Sequence, residues 1–414
     1  MAIAAKKIDE NDVLKDMIAE DGFAIFASRA GESRGQVFSE PESKMRSTFQ
    51  RDRDRVIHST AFRRLKHKTQ VFVSHEGDNY RTRLTHSIEV AQVARSLARA
   101  LRMDEDLAEV CALAHDVGHT PFAHVGEDAL KECMTPYGGF DHNDQTIRVV
   151  TLLENRYPRF KGLNLSWEAL EGLVKHNGPV VKEGIEPNYE ITLNWLKDQT
   201  DLMLNTYASP EAQAAGIADD IAYNCHDLDD GLSAGLFTLD DLVHIPLLGS
   251  IIHDRRTAFP DAPERIIRAE MVRELMGYMV GDVLGETKHR LDALRPKHAD
   301  DVRHADQALI GFSEKMQAHD KQIRRFLWDN FYRNPSVARM RFKVFGVVQD
   351  LFAAFMEHSK TLPVECQQQI QDTPEGWDAE DWRARIIADY IASMTDKNAL
   401  LEHQSLYDIG AALK

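Results

Sequence analysis

Three histidines and two carboxylates fall within the fourteen residues AHDVGHTPFAHVGE, from Ala114 to Glu127. The adjacent His115 and Asp116 can offer an imidazole nitrogen and a carboxylate oxygen to one cation. They close an apolar run, Leu107, Val110, Cys111 and Ala114, whose spacing is helical. Gly118 is expected to break that helix, and Thr120-Pro121 reads as an N-cap followed by proline at the first position of the next. His124 and Glu127 then lie three apart on one face of the second helix. Surface helices favour Lys and Glu over repeated His, which argues for chemistry over a merely solvated face.

An ion of the d-block or magnesium type takes about four to six ligands, and mixed imidazole and carboxylate suits Mg, Mn, Fe, Ni or Zn. His86 is a third candidate, in the first turn of the helix expected over LTHSIEVAQVARSLARALRM. Leu84, Ile88, Ala91, Leu97 and Leu101 mark the apolar face of that helix. A fourth candidate comes from ADDIAYNCHDLDD, where Asp219, Tyr223 and Asp227 recur every four residues as one polar stripe. Asp220 points about 100° away from it.

The rest of the chain bounds these readings. At 414 residues, 43% hydrophobic and 28% charged, it has the composition of a globular protein with room for two or three domains. No apolar run approaches the roughly 20 residues that cross a bilayer, and the N-terminus has no export signal, so a cytoplasmic protein with no membrane partner is expected. Four scattered cysteines with no CxxC pair argue against a disulfide framework or a thiolate zinc site. A net charge of −16 disfavours a general nucleic-acid surface, leaving nucleic acid, single-stranded DNA included, as a secondary partner at most. The charge is uneven, however. From Lys44 to Arg83, eleven Lys and Arg face four acids, a basic segment that leads directly to His86 and could serve an anionic substrate.

Helical patterns dominate from Arg51 to the C-terminus, so the expected fold is all-α, a helical bundle with few or no strands. Residues 1–43, with a short amphipathic stretch from Val13 to Ile25 and then Gly, Ser and Pro, read as a surface arm. An extended piece is expected at Val71-Phe72-Val73, followed by a turn over SHEGDNYRTR. A helix over EALEGLVKHNGP should end at Gly178-Pro179, and breaks are expected at Pro260-Pro263, Pro335, Pro363 and Pro374. DWRARIIADYIASMTDKNALLEH reads as a last helix that runs into a polar turn.

Five ordered strings, RTRLTHSIEV, HDVGHTPFAHVGE, FDHNDQT, ADDIAY..HDLDDG and DYIASMTDKNAL, resemble the bacterial deoxyguanosinetriphosphate triphosphohydrolases and their relatives in the HD-domain phosphohydrolase superfamily. The likeness runs from about Arg51 to Leu401. It implies a catalytic core over 44–235, with the HD domain at about 81–229, and a C-terminal helical region over 236–414 packed on it. The implied activity is metal-dependent hydrolysis of a dNTP, dGTP or several dNTPs, to deoxynucleoside and inorganic triphosphate. By motif, His86, His115, Asp116 and Asp219 would hold the divalent ion, and Asp219 is preferred to Asp220 because Tyr223 and Asp227 then match the family's tyrosine and second aspartate. His124 and Glu127 would move protons, as base or acid. Arg83, His119 and His142 would contact phosphate, Gln70 the sugar 3′-hydroxyl, and Tyr223 with Asp227 the deoxyribose. The resemblance also implies homo-oligomers and, in some relatives, an activator nucleotide. Lys397-Asn398 departs from the family, where an Arg and an aromatic are common. Two alternatives stay open: hydrolysis of another nucleotide phosphate ester, and a nucleotide sensor without turnover.

Overall fold

The computed structural model describes residues 14–70, 81–181, 192 and 196–410. The piece at Val71-Phe72-Val73 and most of the turn after it lie outside the described residues. Within them there is no β-strand, and the backbone pairs only in isolated bridges such as Thr69 with Thr82. The fold is all-α. The first half contains α1 (Thr48–His58), α2 (Thr60–Arg64), α3 (Arg83–Ala100), α4 (Glu105–Ala114), α5 (Ala123–Met134), α6 (His142–Arg148), α7 (Trp167–Val174) and α8 (Pro210–Ser233). The second half contains α9 (Leu239–Leu242), α10 (Pro246–Ala258), α11 (Glu264–Leu294), α12 (Ala299–Arg303), α13 (Glu314–Leu327), α14 (Pro335–Glu357), α15 (Val364–Gln371), α16 (Ala379–Ser393) and α17 (Asp396–Tyr407).

Local signals start the helices that position the site. Thr82 caps α3, Asp104 caps α4, and Ser209 caps α8 with Pro210 at its first position. Almost every residue of α4 from Leu107 to Ala114 is buried, because it lies against α1, α3, α7 and α8 at once. Only four residues separate α3 from α4, so the start of the first meets the end of the second. The prolines act as expected: Pro260 and Pro263 separate α10 from α11, Pro335 opens α14, Pro363 caps α15, and Pro374 follows its end.

Among the described residues the buried apolar side chains gather in two cores. The larger gathers residues from Met17 to Phe331, with α3, α4, α7, α8 and α11 in it. The smaller packs α5, Phe122 and Phe140 against α14, α16 and Ala399 of α17. The helix carrying His124 and Glu127 is therefore seated on the C-terminal helices, while His86, His115 and Asp219 stand on helices of the larger core.

Five expectations need correction. Over its described residues, 14–43, the N-terminal segment is not a surface arm: Met17, Ala24, Phe26 and Ala27 are buried, and the Ser28 N–H donates to buried Glu211 of α8 at 2.9 Å. Ile88 is half exposed, and the inner face of α3 runs through His86, Ser87, Val90, Ala94 and Leu97, because the polar start of this helix turns toward the site. Thr120-Pro121 does not start α5. That helix opens at Ala123 after Phe122, both left-handed at φ 57° and 63°, and the Thr120 hydroxyl donates to the Ala123 carbonyl at 3.1 Å. The helix from Trp167 ends at Val174, before Gly178. Finally, the last segment is two helices, broken at Met394-Thr395, where Thr395 caps the second.

Candidate metal and proton-transfer site

The end of α4, the start of α3 and the middle of α8 converge on three ligand atoms. One nitrogen each of His86 and His115 and one oxygen of Asp219 lie within 4.8 Å of one another. His86 Nε2 is 2.9 Å from Asp219 Oδ1, and His115 Nε2 is 3.6 Å from the same oxygen. The His115 ring is fixed from behind, since its Nδ1 donates to the Ala112 carbonyl at 2.7 Å. That leaves Nε2 as a lone-pair nitrogen, buried and without a hydrogen-bond partner. A buried, unpartnered imidazole nitrogen beside a carboxylate and a second imidazole is a donor set that suits a divalent ion.

Asp116 lies outside that three-atom group. Its Oδ2 accepts from Arg83 Nη1 at 2.7 Å, and its Oδ1 is 3.4 Å from both His115 Nε2 and His119 Nε2. It therefore stands between the ligand group and the histidines beyond. Burial would raise its carboxyl, but the Arg83 guanidinium, then His115 and His86, hold it well below the carboxylate range. Asp219 is likewise held low against its burial, by His115, His176 and His86.

A second constellation is built on Glu127. Its Oε2 is 3.3 Å from His124 Nδ1, and its Oε1 is 2.8 Å from His142 Nδ1 while also accepting the His142 backbone N–H at 3.1 Å. One carboxylate thus orients two imidazoles, of which the sequence pairing anticipated only His124. His142 stacks on His119 with ring centroids 4.0 Å apart. Burial works against the charge on each partner, yet the pairing dominates: Glu127 is held well below its ordinary value and His142 is raised above its own. His119 is pushed well down by burial and by the cations Arg83 and His142 around it, so it is neutral. His124, half exposed along its side chain, is the most solvent-accessible of the three.

Arg83 is buried, and its Nε and Nη2 have no hydrogen-bond partner. The rest of the basic segment does not join it as expected. Arg46 pairs with Asp54, Arg53 with Asp106 and Glu109, Arg55 with Glu40, and Arg81 with Asp229 and Asp230, so these four guanidiniums are consumed in holding the fold together. Lys68, buried, donates to the carbonyls of His119 and Ala392 at 2.5 and 2.7 Å, and burial with Arg64 nearby brings its ammonium down to about 7. Gln70 is buried with its Oε1 unpartnered, and the strand-like bridge of Thr69 to Thr82 sets it next to the start of α3.

The α8 stripe is completed by residues that the sequence reading missed. The Tyr223 and Tyr332 hydroxyls are hydrogen-bonded, and Tyr332 donates onward to Asp227. Tyr332 closes a π-helical turn, Trp328–Tyr332, between α13 and α14. Asp220 points away to Arg324 at 2.6 Å. His176, in the turn after α7, stacks on His115 with centroids 5.2 Å apart and lies 3.5 Å from Asp219 Oδ2. His226 meets His86 from behind, Nδ1 to Nδ1, at 3.2 Å. Its position could have been found from sequence, being seven residues after Asp219 and so on the same helix face. Nothing local pointed to His176 or Tyr332.

Two family models match: the HD domain over residues 83–224 and a phosphohydrolase-associated domain over 310–405. Proteins named deoxyguanosinetriphosphate triphosphohydrolase-like are similar to nearly the whole chain. That of Parvibaculum lavamentivorans is 52% identical over 387 residues, 93% of this chain and 96% of its own length. That of a Caulobacter species is 52% identical over 386 residues, and that of Brucella anthropi 51% over 388, each again covering 93% of this chain. No helix among the described residues is long and apolar enough to cross a membrane. The chain belongs to the deoxyguanosinetriphosphate triphosphohydrolase-like family of HD-domain phosphohydrolases.

Proposed function

We propose that this protein hydrolyses a deoxynucleoside triphosphate, dGTP or several dNTPs, to the deoxynucleoside and inorganic triphosphate. The observation that carries the reading is Arg83. It is a buried guanidinium with two unpartnered N–H groups, set between a divalent-cation donor set and a group of imidazoles. Unmet donors on a buried cation call for an anion, and the relatives' names point to dGTP.

His86, His115, Asp116 and Asp219 would hold a divalent ion, with His176 in reach of Asp219. When bound, such an ion polarises a phosphoryl oxygen and makes water a better nucleophile. Arg83 binds phosphoryl oxygens through its free N–H groups, and His119, neutral and buried, lies beside them. Glu127 keeps the rings of His124 and His142 oriented, so that one imidazole exchanges a proton with the attacking water or with the departing 5′-oxygen. Acid-base help of this kind typically supplies about 10²–10⁴-fold. Tyr223 and Asp227, joined through Tyr332, form the wall for the deoxyribose, with Gln70 for the 3′-hydroxyl.

The test is product analysis. Purified protein is incubated with each dNTP and with GTP in the presence of Mn²⁺ or Mg²⁺, with and without a second nucleotide as activator. Deoxynucleoside and tripolyphosphate are the expected products. Release of monophosphate with pyrophosphate would overturn the reading, and binding without turnover under every condition would leave a sensor.

A further inference from the structure

His226 lies outside the constellation that would touch substrate, yet it is buried and spent on a single contact chain. The chain starts at His86, whose Nε2 faces Asp219 Oδ1 and whose Nδ1 is 3.2 Å from His226 Nδ1. His226 Nε2 is 3.0 Å from Glu89 Oε2, and that oxygen accepts from Arg81 Nε at 3.1 Å. Arg81 is anchored in turn by Asp229 and Asp230. Glu89 is three residues after His86 on α3, and His226 is seven after Asp219 on α8, so each helix supplies one inner and one outer member.

With neutral rings, one arrangement of protons satisfies the links from Glu89 to His86, and it leaves His86 Nε2 and Asp219 Oδ1 as two acceptors 2.9 Å apart, as two ligands of one cation stand. The Glu89 carboxylate accepts only, so His226 carries its proton on Nε2. Its Nδ1 is then a lone pair that must accept, and the His86 proton is thereby placed on Nδ1. His86 Nε2 is left unprotonated toward Asp219 and His115, the state that a metal ligand requires. His115 reaches the same state by a shorter route, through the Ala112 carbonyl.

We propose that His226 is a positioning residue, which with Glu89 and Arg81 fixes the tautomer and orientation of His86 for a divalent cation. The inference rests on the metal centre of the proposed function. His226 does not touch the ion or the substrate; it acts through His86.

Mn²⁺ titration of the metal-stripped protein by calorimetry tests it, with three proteins compared: the unaltered chain, His226→Leu and His226→Asn. Asparagine offers an oxygen where His226 Nδ1 stands, and leucine offers nothing. Loss of an outer-shell partner typically weakens metal binding about 10–100-fold, so His226→Leu should show that loss and His226→Asn should recover most of it. The ¹⁵N shifts of His86 in the metal-free protein should report a proton on Nδ1 in the unaltered chain and in His226→Asn, and a shift toward Nε2–H in His226→Leu. Thermal unfolding of the metal-free proteins separates this from a packing effect, which would lower both variants without the asparagine rescue. Leucine binding Mn²⁺ as tightly as histidine would overturn the proposal, as would asparagine binding as weakly as leucine. Absence of Mn²⁺ binding by the unaltered chain would overturn the metal centre itself, a different result from either.

Discussion

Asp396 accepts the backbone N–H of Phe122 at 2.9 Å, tying the first residue of α17 to the left-handed turn that opens α5. Its other oxygen accepts from the Thr69 N–H at 2.9 Å and from the Thr69 hydroxyl. Phe122 at φ 63° followed by Ala123 at 57°, neither of them glycine, is a strained backbone, of order 1–3 kcal/mol per residue. It persists because Asp396 and Thr120 hold it, and it sets where His124 emerges. Asp396→Ala should therefore lower kcat by at least about 10-fold, with little change in KM, and cost about 1–3 kcal/mol of stability from the orphaned N–H groups. Asp396→Asn should be nearly as damaging, since its amide NH₂ must face a donor. Steady-state kinetics and denaturant unfolding of both variants check this, and an active asparagine variant would contradict it.

The ligand set predicts a loss that activity alone cannot disguise. Asp219→Ala removes the carboxylate that reaches His86, His115 and His176 alike, so bound Mn²⁺ and turnover should disappear together. Asp116→Ala should do the same and also leave Arg83 Nη1 buried without its carboxylate, giving a larger fall in thermal stability than Asp219→Ala. Metal content by elemental analysis, with unfolding of the metal-free proteins, separates the two effects. Retained metal in Asp116→Ala would remove Asp116 from the set.

The Glu127–His142 pair has a pH signature. Glu127 is depressed below its ordinary 4.5, so its contribution to stability is present above that value and is lost as pH falls through the lower folded value. His142 is raised above 6.5, so its contribution is complete below 6.5 and is lost as pH rises through the higher folded value. Both are in full force between about pH 4.5 and 6.5. In Glu127→Gln the main opposition to the burial of His142 is gone, with only the more weakly acting Asp116 and Asp141 left, and its pKa should fall from its raised value. Histidine NMR titration of the two proteins measures this directly, and an unmoved His142 would contradict the pairing.

Much of this was readable in the residues, for identifiable reasons. Helical periodicity placed α3, α4 and α8, since their apolar residues recur at helical spacing, and the i, i+3 spacing of His124 and Glu127 puts both on one face of α5. What failed was local logic applied where tertiary contact decides. Thr120-Pro121 looks like a helix start, but Asp396, almost three hundred residues away, stabilises a left-handed turn there instead. The basic segment looked like a phosphate surface because its acidic partners, Glu40, Asp106 and Glu109, lie outside it. His176 reaches the site from the turn after α7 and Tyr332 from a π-helical turn, and no apolar periodicity marks either.

Tyr223 links the site wall to the π-helical turn through Tyr332. If that wall excludes a 2′-hydroxyl, Tyr223→Ala should raise the GTP to dGTP ratio of kcat/KM by about 10- to 100-fold, the range available to shape-based rejection of one hydroxyl. Tyr332→Phe keeps the ring but frees Tyr223 and Asp227, and should change KM for the deoxynucleotide more than the ratio. An unaltered ratio in Tyr223→Ala would place sugar selection elsewhere.

At Gly118 close approach matters more than helix breaking. A Cβ there would lie 2.1 Å from the Thr146 nitrogen and 2.5 Å from the His142 carbonyl oxygen, because α6 rests directly on the turn between His115 and His119. The Gly118 N–H donates to the Thr146 hydroxyl at 3.1 Å, which donates to the His115 carbonyl at 2.9 Å. Gly118→Ala must therefore push α6 away, carrying His142 off His119. A loss of about 1–3 kcal/mol is expected from overpacking, together with a fall in kcat. Gly277, in the middle of α11, has nothing within 4 Å of the added Cβ, so Gly277→Ala should instead gain about 0.5–1 kcal/mol and leave turnover unchanged. If both variants unfold at the same denaturant concentration, the close approach of α6 to the Gly118 turn is not what holds the histidines together.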